Sequence, residues 1–249
     1  VKNVSLPQKT IDYFILYVKG DEAKLFWNNL SACQKLTIDF IKTYGERLNW
    51  DNITTCQQLS LNFLIEHAKD IVWKRLQLNI NSNHLINDNT IKLFKDIKKV
   101  ELENEYSIWD VVGYFTNVSV DCILQHVNYI TSNGALSVFC TRELTTEQIE
   151  RLMEKCECEN GQMWNYISMM VNLEDSFIEK YLDKLNWQEL SNNYNFSAIQ
   201  LNKYSDKIDY DELSQNFNMC KEWLSVLKEN GMYDKLDISE DVISYLNFY

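Results

Sequence analysis

A period of 23 residues runs through much of this chain and constrains its fold more than any other feature. Residues 173–194 align without gaps on residues 196–217, and the same spacing recurs in the N-terminal third. The aromatic position of the repeat is occupied by Trp27, Trp50, Trp73, Trp164, Trp187, Tyr210 and Tyr233. A fixed period of this size is the sequence signature of an array of stacked repeats.

Within each repeat the apolar residues have helical spacing. Leu36, Phe40 and Tyr44 lie at i, i+4 and i+8, which is one face of an α-helix. A shorter apolar stripe begins at Trp50, after the polar turn at residues 45–49. We therefore expect each repeat to contain a helix of about ten residues, a tight turn, a helix of about seven and another turn.

Capping residues stand where these helices are expected to begin. The expected caps are Thr37, Asn49, Ser60, Thr145, Asn186 and Asp209. Glu189 and Glu212 lie three residues after Asn186 and Asp209, which is the spacing of a capping box. The sequence therefore predicts that these helices start at their aromatic residues.

The aromatic position is expected to form a wedge between consecutive helix pairs. Helices this short are marginal alone, because even about 12–15 residues give little stability in water. Each repeat must therefore bury its apolar stripe against the next one. A buried aromatic ring removes about 150–250 Å² from water, so replacing Trp50 or Trp187 by Ala is expected to cost about 3–5 kcal/mol.

The scarcity of glycine and proline, six and one in 249 residues, favours helices joined by short polar turns. We predict an all-α fold, a right- or left-handed helical solenoid of about nine short helix-turn-helix repeats. Residues before about Asp12 are expected to form an irregular N-terminal cap. The predicted single array covers 1–249, with regular repeats in 12–80, irregular repeats with inserts in 81–172, regular repeats in 173–241 and a C-terminal cap in 242–249.

The net charge of −12 is concentrated in the second half of the chain. Residues 126–249 hold 21 acidic and 10 basic side chains, whereas residues 1–125 hold 15 and 14. An acidic surface argues against direct binding of nucleic acid, which needs a basic track, and it would suit a basic partner. The alternative is that the acids keep an elongated array soluble.

Two features bear on the compartment. No apolar run reaches the about 18 residues of a membrane span, and the N-terminus lacks the apolar segment of a signal peptide. The seven cysteines are an odd number, which is typical of reduced intracellular thiols. We expect a cytoplasmic protein that does not bind membranes.

One group of residues has some resemblance to a metal site. Cys156 and Cys158 follow Cys140 and His126, but structural zinc sites usually use cysteine pairs with two to four intervening residues. The chain also lacks the phosphate-binding, dinucleotide-binding and metalloprotease motifs. We therefore predict no cofactor, no metal and no catalytic residues.

The segments FIEKYLDKLNWQELS and KYSDKIDYDELS resemble a known short helical repeat. Its pattern, F-I-x-x-[FY]-x-D-K-[LIV]-[ND]-[WY]-x-x-[LI]-S, is found in uncharacterised proteins of large DNA viruses and bacteriophages. The match covers residues 173–217 well and residues 36–80 fairly, and it weakens across 81–172. The resemblance implies a viral source and a helical repeat fold, and it implies no catalytic residues.

The leading interpretation is a non-enzymatic protein-interaction scaffold, because stacked repeats present an extended surface that binds other macromolecules. With the resemblance, its concrete form is a viral accessory protein in the host cytoplasm that binds and inhibits a host defence factor. A variant is nucleic-acid mimicry, in which the acidic half occupies a nucleic-acid-binding protein.

Two inserts that depart from the repeat are the expected contact regions, because loops of this kind are not required for array stability. The predicted partner-binding residues are Lys95, Lys98, Lys99, Glu101, Glu103, Glu105, Glu157, Glu159, Asn160 and Gln162. Two alternatives stay open. One is an enzyme with its site in the irregular central repeats, and the other is a structural component of a virion or its assembly.

Overall fold

The computed structural model describes residues 6–95, 106–154, 161–170 and 172–239. Within these ranges it contains fifteen α-helices, several short 3₁₀ helices and no β-strand, which confirms the all-α class. None of the helices in the described ranges combines the length and the apolar character needed to cross a membrane.

The chain divides into two compact units, an N-terminal unit, Val1–Thr141, and a C-terminal unit, Arg142–Tyr249. The helices of the N-terminal unit are α1 (Gln8–Tyr17), α2 (Gly20–Cys33), α3 (Ile38–Tyr44), α4 (Trp50–Cys56), α5 (Leu61–Glu66), α6 (Trp73–Leu76), α7 (Val120–Gln125) and α8 (Ser132–Phe139). Those of the C-terminal unit are α9 (Thr146–Met153), α10 (Gly161–Ser168), α11 (Asp175–Lys180), α12 (Trp187–Asn193), α13 (Ala198–Lys203), α14 (Tyr210–Gln215) and α15 (Lys221–Glu229).

Alternate helices pack against each other inside each unit. In the N-terminal unit α2 packs on α4 and α4 packs on α6. In the C-terminal unit α10 packs on α12, α12 on α14 and α13 on α15. Each repeat therefore buries its apolar stripe against the next repeat, as such short helices require.

The predicted helix caps are confirmed. The side chains of Thr37, Asn49 and Ser60 each accept a hydrogen bond from a backbone N–H in the first turn of α3, α4 and α5. The remaining predicted caps that do the same are Thr145, Asn186 and Asp209.

The capping boxes predicted for α12 and α14 are wrong, because the preceding repeat supplies the acceptor instead. The backbone N–H of Asn186 donates to Ser168 Oγ at 2.8 Å, and that of Asp209 donates to Ser191 Oγ at 3.0 Å. Both serine side chains are buried. The hydroxyl therefore joins two repeats through the N-cap position, which leaves nothing for a box glutamate to bind.

The carboxylate of Glu212 joins repeats in a different way. It accepts hydrogen bonds from the side-chain amides of Asn192 at 2.7 Å and Gln188 at 3.0 Å, both on α12. These bonds stabilise the charged form and hold the pKa of Glu212 below its usual value.

In four repeats the first helix is shorter than predicted. Helices α3, α5, α11 and α13 have six or seven residues rather than about ten. In α3 the cap at Thr37 sets the start, so Leu36 lies before the helix, and a separate 3₁₀ helix, Gly45–Arg47, follows its end.

The N-terminal end also differs from the prediction. Helix α1 begins at Gln8, before the expected boundary near Asp12, and α2 has 14 residues. Gly20, with a φ of 66°, lets α2 begin early. Leu25 is consequently 62% exposed on α2, although the equivalent Leu48 is buried.

An aromatic pair recurs at five repeat junctions of the described ranges, with the second ring 17 residues after the first. The pairs are Trp27–Tyr44 at 5.6 Å, Trp50–His67 at 5.5 Å, Trp109–His126 at 5.9 Å, Trp164–Tyr181 at 5.2 Å and Trp187–Tyr204 at 5.3 Å between ring centroids. The aromatic position thus packs against the next repeat, as expected. Trp50 and Trp187, however, are only half-buried, whereas Trp73 is 1% exposed.

The two units contain a duplicated segment. Residues 27–82, the first module, align without gaps on residues 164–219, the second module, at an offset of 137 residues. Equivalent residues make equivalent contacts. The indole Nε1 of Trp50 and that of Trp187 each donate to the backbone carbonyl five residues earlier, at 3.1 and 3.0 Å.

In the repeat that ends near Thr141, Ser132 stands at the aromatic position, 23 residues after Trp109, and the glycine two residues later lies at a close backbone approach. Helix α8 packs against the 3₁₀ helix Ile108–Asp110. A Cβ on Gly134 would lie 1.9 Å from the carbonyl oxygen of Trp109. A large side chain cannot be accommodated where two backbones come this close.

We expect Trp73→Ala to lower the free energy of unfolding by about 3–5 kcal/mol, because its ring is fully buried. Trp50→Ala is expected to cost less, because part of that ring is already in water. Urea unfolding followed by far-ultraviolet circular dichroism measures both. Equal losses in the two variants would contradict the burial described above.

Candidate functional site

Of the ten predicted partner-binding residues, the structure describes two. Lys95 follows the 3₁₀ helix Ile91–Phe94, and Gln162 is the second residue of α10. Both are exposed. The predicted residues that lie outside the described ranges are Lys98, Lys99, Glu101, Glu103, Glu105, Glu157, Glu159 and Asn160.

The cysteine cluster considered from the sequence falls partly outside the described ranges, which do not include Cys156 and Cys158. Cys140 is exposed, with its Sγ 3.9 Å from the hydroxyl of Tyr114. In the part of the chain that the structure describes, no three His, Cys, Asp or Glu side chains are grouped to hold a metal ion.

A second thiol lies next to a histidine in the irregular central region. Cys122 Sγ is 3.9 Å from His126 Nδ1, but that nitrogen lies 2.9 Å from the carbonyl oxygen of Cys122, and its ring stacks on Trp109. Burial raises the pKa of the Cys122 thiol, and the Asp88 carboxylate raises it further. The thiol is therefore held protonated, which is the opposite of an activated nucleophile.

A more distinctive feature is a turn at residues 79–81. The Asn79 side chain is fully buried, and its amide donates to the carbonyl oxygens of Thr54 and Gln57 at 2.7 and 2.8 Å. Its own Oδ1 accepts from the N–H of Asn81 at 3.0 Å. Two hydrogen bonds from one carboxamide therefore fix this turn to the preceding repeat, and a third closes the turn itself.

The second module contains the same turn at residues 216–218. The Asn216 amide donates to the carbonyl oxygens of Ser191 and Tyr194 at 2.8 and 3.0 Å, and its Oδ1 accepts from the N–H of Asn218 at 2.8 Å. Asn216 is 2% exposed. The side chains differ at several surrounding positions, but the polar framework of the turn is the same.

The middle residue of each turn is apolar and lies in water. Ile80 is 86% exposed and Phe217 is 78% exposed. Single exposed apolar residues are common on protein surfaces. Here, however, the same hydrogen bonds present one in each module, and neither side chain contributes to a core. We call Ile80 and Phe217 the presented residues.

Sequence reasoning missed these turns, although a signal was present. The triplets Asn-Ile-Asn at 79–81 and Asn-Phe-Asn at 216–218 stand at the same place in the two modules. Asn commonly bonds the backbone two residues ahead of it in a turn. The 23-residue period is defined by apolar positions, and these asparagines lie between them.

The first module also contains an open cleft of about 800 Å³, formed where α3 and the 3₁₀ helix after it meet the next repeat. Ile41 and Leu48 line it as buried apolar residues. Aromatic and charged side chains complete the lining, and they include Lys42, Tyr44, Glu46, Arg47, Trp50, His67 and Asp70.

The charged groups of this cleft are partly paired. Lys42 Nζ lies 2.7 Å from Glu66 Oε2, and His67 Nδ1 lies 3.1 Å from Asp70 Oδ2. The guanidinium of Arg47 lies 5.7 Å from the centroid of the Trp27 ring, and Trp27 does not line the cleft.

Comparison of the chain with protein-family models, with curated proteins and with solved structures found no match.

We expect Asn79→Ala to lower the free energy of unfolding by about 2–4 kcal/mol, because two buried carbonyl groups lose their donor. Asn81→Ala is the matched control, since Asn81 is exposed and takes part in the turn through its backbone. Thermal and urea unfolding measure both variants. A similar loss in Asn81→Ala would show that the turn is not held by the buried carboxamide.

We expect Cys122 to react with iodoacetamide at pH 7 more slowly than the exposed Cys33 and Cys140, because its pKa is raised and its thiol is buried. Peptide mass mapping after timed alkylation measures each site. Preferential labelling of Cys122 would instead indicate an activated thiol and would favour an enzyme.

Proposed function

We propose that this protein is a non-enzymatic scaffold that binds another protein through the presented residues Ile80 and Phe217. The observation that carries the proposal is the pair of equivalent turns, each held by a buried asparagine and each exposing an apolar side chain. Apolar side chains on rigid elements lose little entropy when a partner buries them.

The proposal includes the architecture and setting expected from the sequence. About nine repeats would continue as a helical solenoid, and the packing of alternate helices within each unit supports this. The resemblance to viral repeats favours an accessory protein in the host cytoplasm whose partner is a host defence factor. Binding of that factor would block its activity by occupying its surface.

A second candidate, acidic mimicry of nucleic acid, is favoured by the charge distribution. All 21 acidic side chains counted in the second half belong to residues 142–249, against 10 basic ones. Carboxylates on such a surface could occupy a site that normally binds phosphates. Long-range attraction of this kind weakens strongly with salt, whereas apolar contacts do not.

We expect the double variant Ile80→Ser/Phe217→Ser to keep its stability and to lose its partner. Both side chains are in water, so folding should not depend on them. The matched control is Ile199→Ser on α13, because Ile199 is 79% exposed but lies outside the turns. Loss of binding is expected to exceed tenfold in the double variant and to stay below twofold in the control.

The measurement begins with tagged capture from host lysate, with and without nuclease and at two salt concentrations. A protein retained after nuclease treatment is then purified and its affinity for each variant is measured by calorimetry. Equal affinity for the double variant and the control would overturn the proposal. A complex that dissociates at high salt, and whose affinity is unchanged in both variants, would favour acidic mimicry.

A further inference from the structure

The residues that line the cleft of the first module have equivalents in the second module, and the two sets differ at the position of Gly45. Gly45 in the cleft corresponds to Leu182, so a leucine side chain is missing where the cleft lies. A Cβ on Gly45 would lie 3.5 Å from Trp50 Cζ2, which is an ordinary contact. Gly45 has no positive φ, so neither conformation nor crowding requires a glycine there.

The charges around the two positions are also different. In the second module, Lys207 Nζ lies 3.3 Å from Asp183 Oδ1. The equivalent residues of the first module are Asp70 and Glu46, and both line the cleft. An ion pair in one module is therefore replaced by two carboxylates in the other.

A neighbouring ion pair shows that the first module has not simply lost the basic residues of the second. Lys42 pairs with Glu66 in the first module, whereas Glu179 pairs with Lys203 in the second. These positions are equivalent, so the pair is kept with its polarity reversed. Of these two ion pairs, only the one formed by Lys207 loses its cation in the first module without a base appearing at the facing position.

Two further observations indicate what could restore that cation. Within the described part of the chain, the Glu46 carboxylate makes no hydrogen bond or ion pair. The Asp70 carboxylate contacts one polar side chain there, that of His67. The cleft also exposes aromatic surface from Tyr44 and Trp50. Aromatic faces attract ammonium groups and pack against their aliphatic stems.

We propose that this cleft binds a lysine side chain of the partner protein. Its ammonium group would lie between the carboxylates of Glu46 and Asp70, where Lys207 lies in the second module, and its stem would pack against Tyr44 and Trp50. The inference rests on the proposed scaffold function and names the chemistry of the partner, a protein that presents an exposed lysine.

The test uses the full chain and a blocked pentapeptide with one central lysine between glycine and serine residues. Two-dimensional nitrogen-15 NMR at 150 mM salt follows the amide of Gly45 and the indole N–H of Trp50. The equivalent signals of Leu182 and Trp187 are internal controls in the same molecule. We expect saturable shifts at Gly45 and Trp50 with a dissociation constant of about 1 mM or weaker, and none with a norleucine peptide.

Two variants locate the site. Asp70→Lys supplies the residue that the second module has, and we expect it to weaken peptide binding at least fivefold. Asp211→Lys makes the same change of charge at an exposed residue of α14 and should change binding less than twofold. Both positions are solvent-accessible, so the fold should tolerate each change. If both variants weaken peptide binding equally, the effect reflects only the attraction of the peptide to the overall charge of the protein, and the inference is overturned.

The reverse exchange gives a gain of function. In Leu182→Gly/Lys207→Asp the second module acquires the glycine and the carboxylate of the first, and the Trp187 indole should then respond to the lysine peptide. If this double variant does not fold, the comparison of Asp70→Lys with Asp211→Lys is the test of the lysine site. No saturable shift at Gly45 or Trp50 in the native chain would also overturn the inference.

The outcomes separate this inference from the proposed function. In one outcome, a partner is captured through Ile80 and Phe217, its capture is unchanged in Asp70→Lys, and the lysine peptide causes no shift. That outcome would support the scaffold function and rule out the lysine site. In the opposite outcome, the lysine peptide causes saturable shifts that Asp70→Lys abolishes, and no partner is captured. That outcome would support the lysine site and rule out the proposed scaffold function.

Discussion

The hydrogen bond from an N-cap backbone N–H to a buried hydroxyl of the preceding repeat is the interaction on which the repeats depend. It occurs at Ser31 and Thr54 in the first module and at Ser168 and Ser191 in the second, at distances of 2.8 to 3.2 Å. A hydroxyl that is buried between helices must find a partner. The bond therefore sets the register of one repeat on the next, and the apolar and aromatic contacts follow from that register.

The same register places functional groups as well as core groups. The buried asparagine that holds Ile80 in its turn donates to Thr54 and Gln57, one repeat earlier. A side chain presented in this way is fixed by the repeat beneath it and not by its own short helix. This explains how helices of six or seven residues, which have little stability of their own, can offer a rigid surface for binding.

Sequence reasoning recovered the features that periodicity controls and missed those that need three-dimensional neighbours. The 23-residue period and the caps at Asn49 and Asn186 were predictable, because apolar spacing and N-cap chemistry are local. The acceptors at Ser168 and Ser191 were not, since a buried serine and an exposed one look alike in a sequence. The cleft was also not predictable, because the difference between Gly45 and Leu182 gains meaning only once the structure shows that Gly45 lines a cleft.

The reversed polarity of the pairs Lys42–Glu66 and Glu179–Lys203 has a consequence for folding fidelity. Two modules with nearly the same apolar pattern could stack in the wrong order while the chain is collapsing, a known hazard of repeat proteins. A misplaced repeat would set Lys42 against Lys203, or Glu66 against Glu179. Like charges in contact disfavour such an arrangement. The polarity of the ion pair therefore distinguishes correct from incorrect stacking, which the similar apolar residues of the two modules do not.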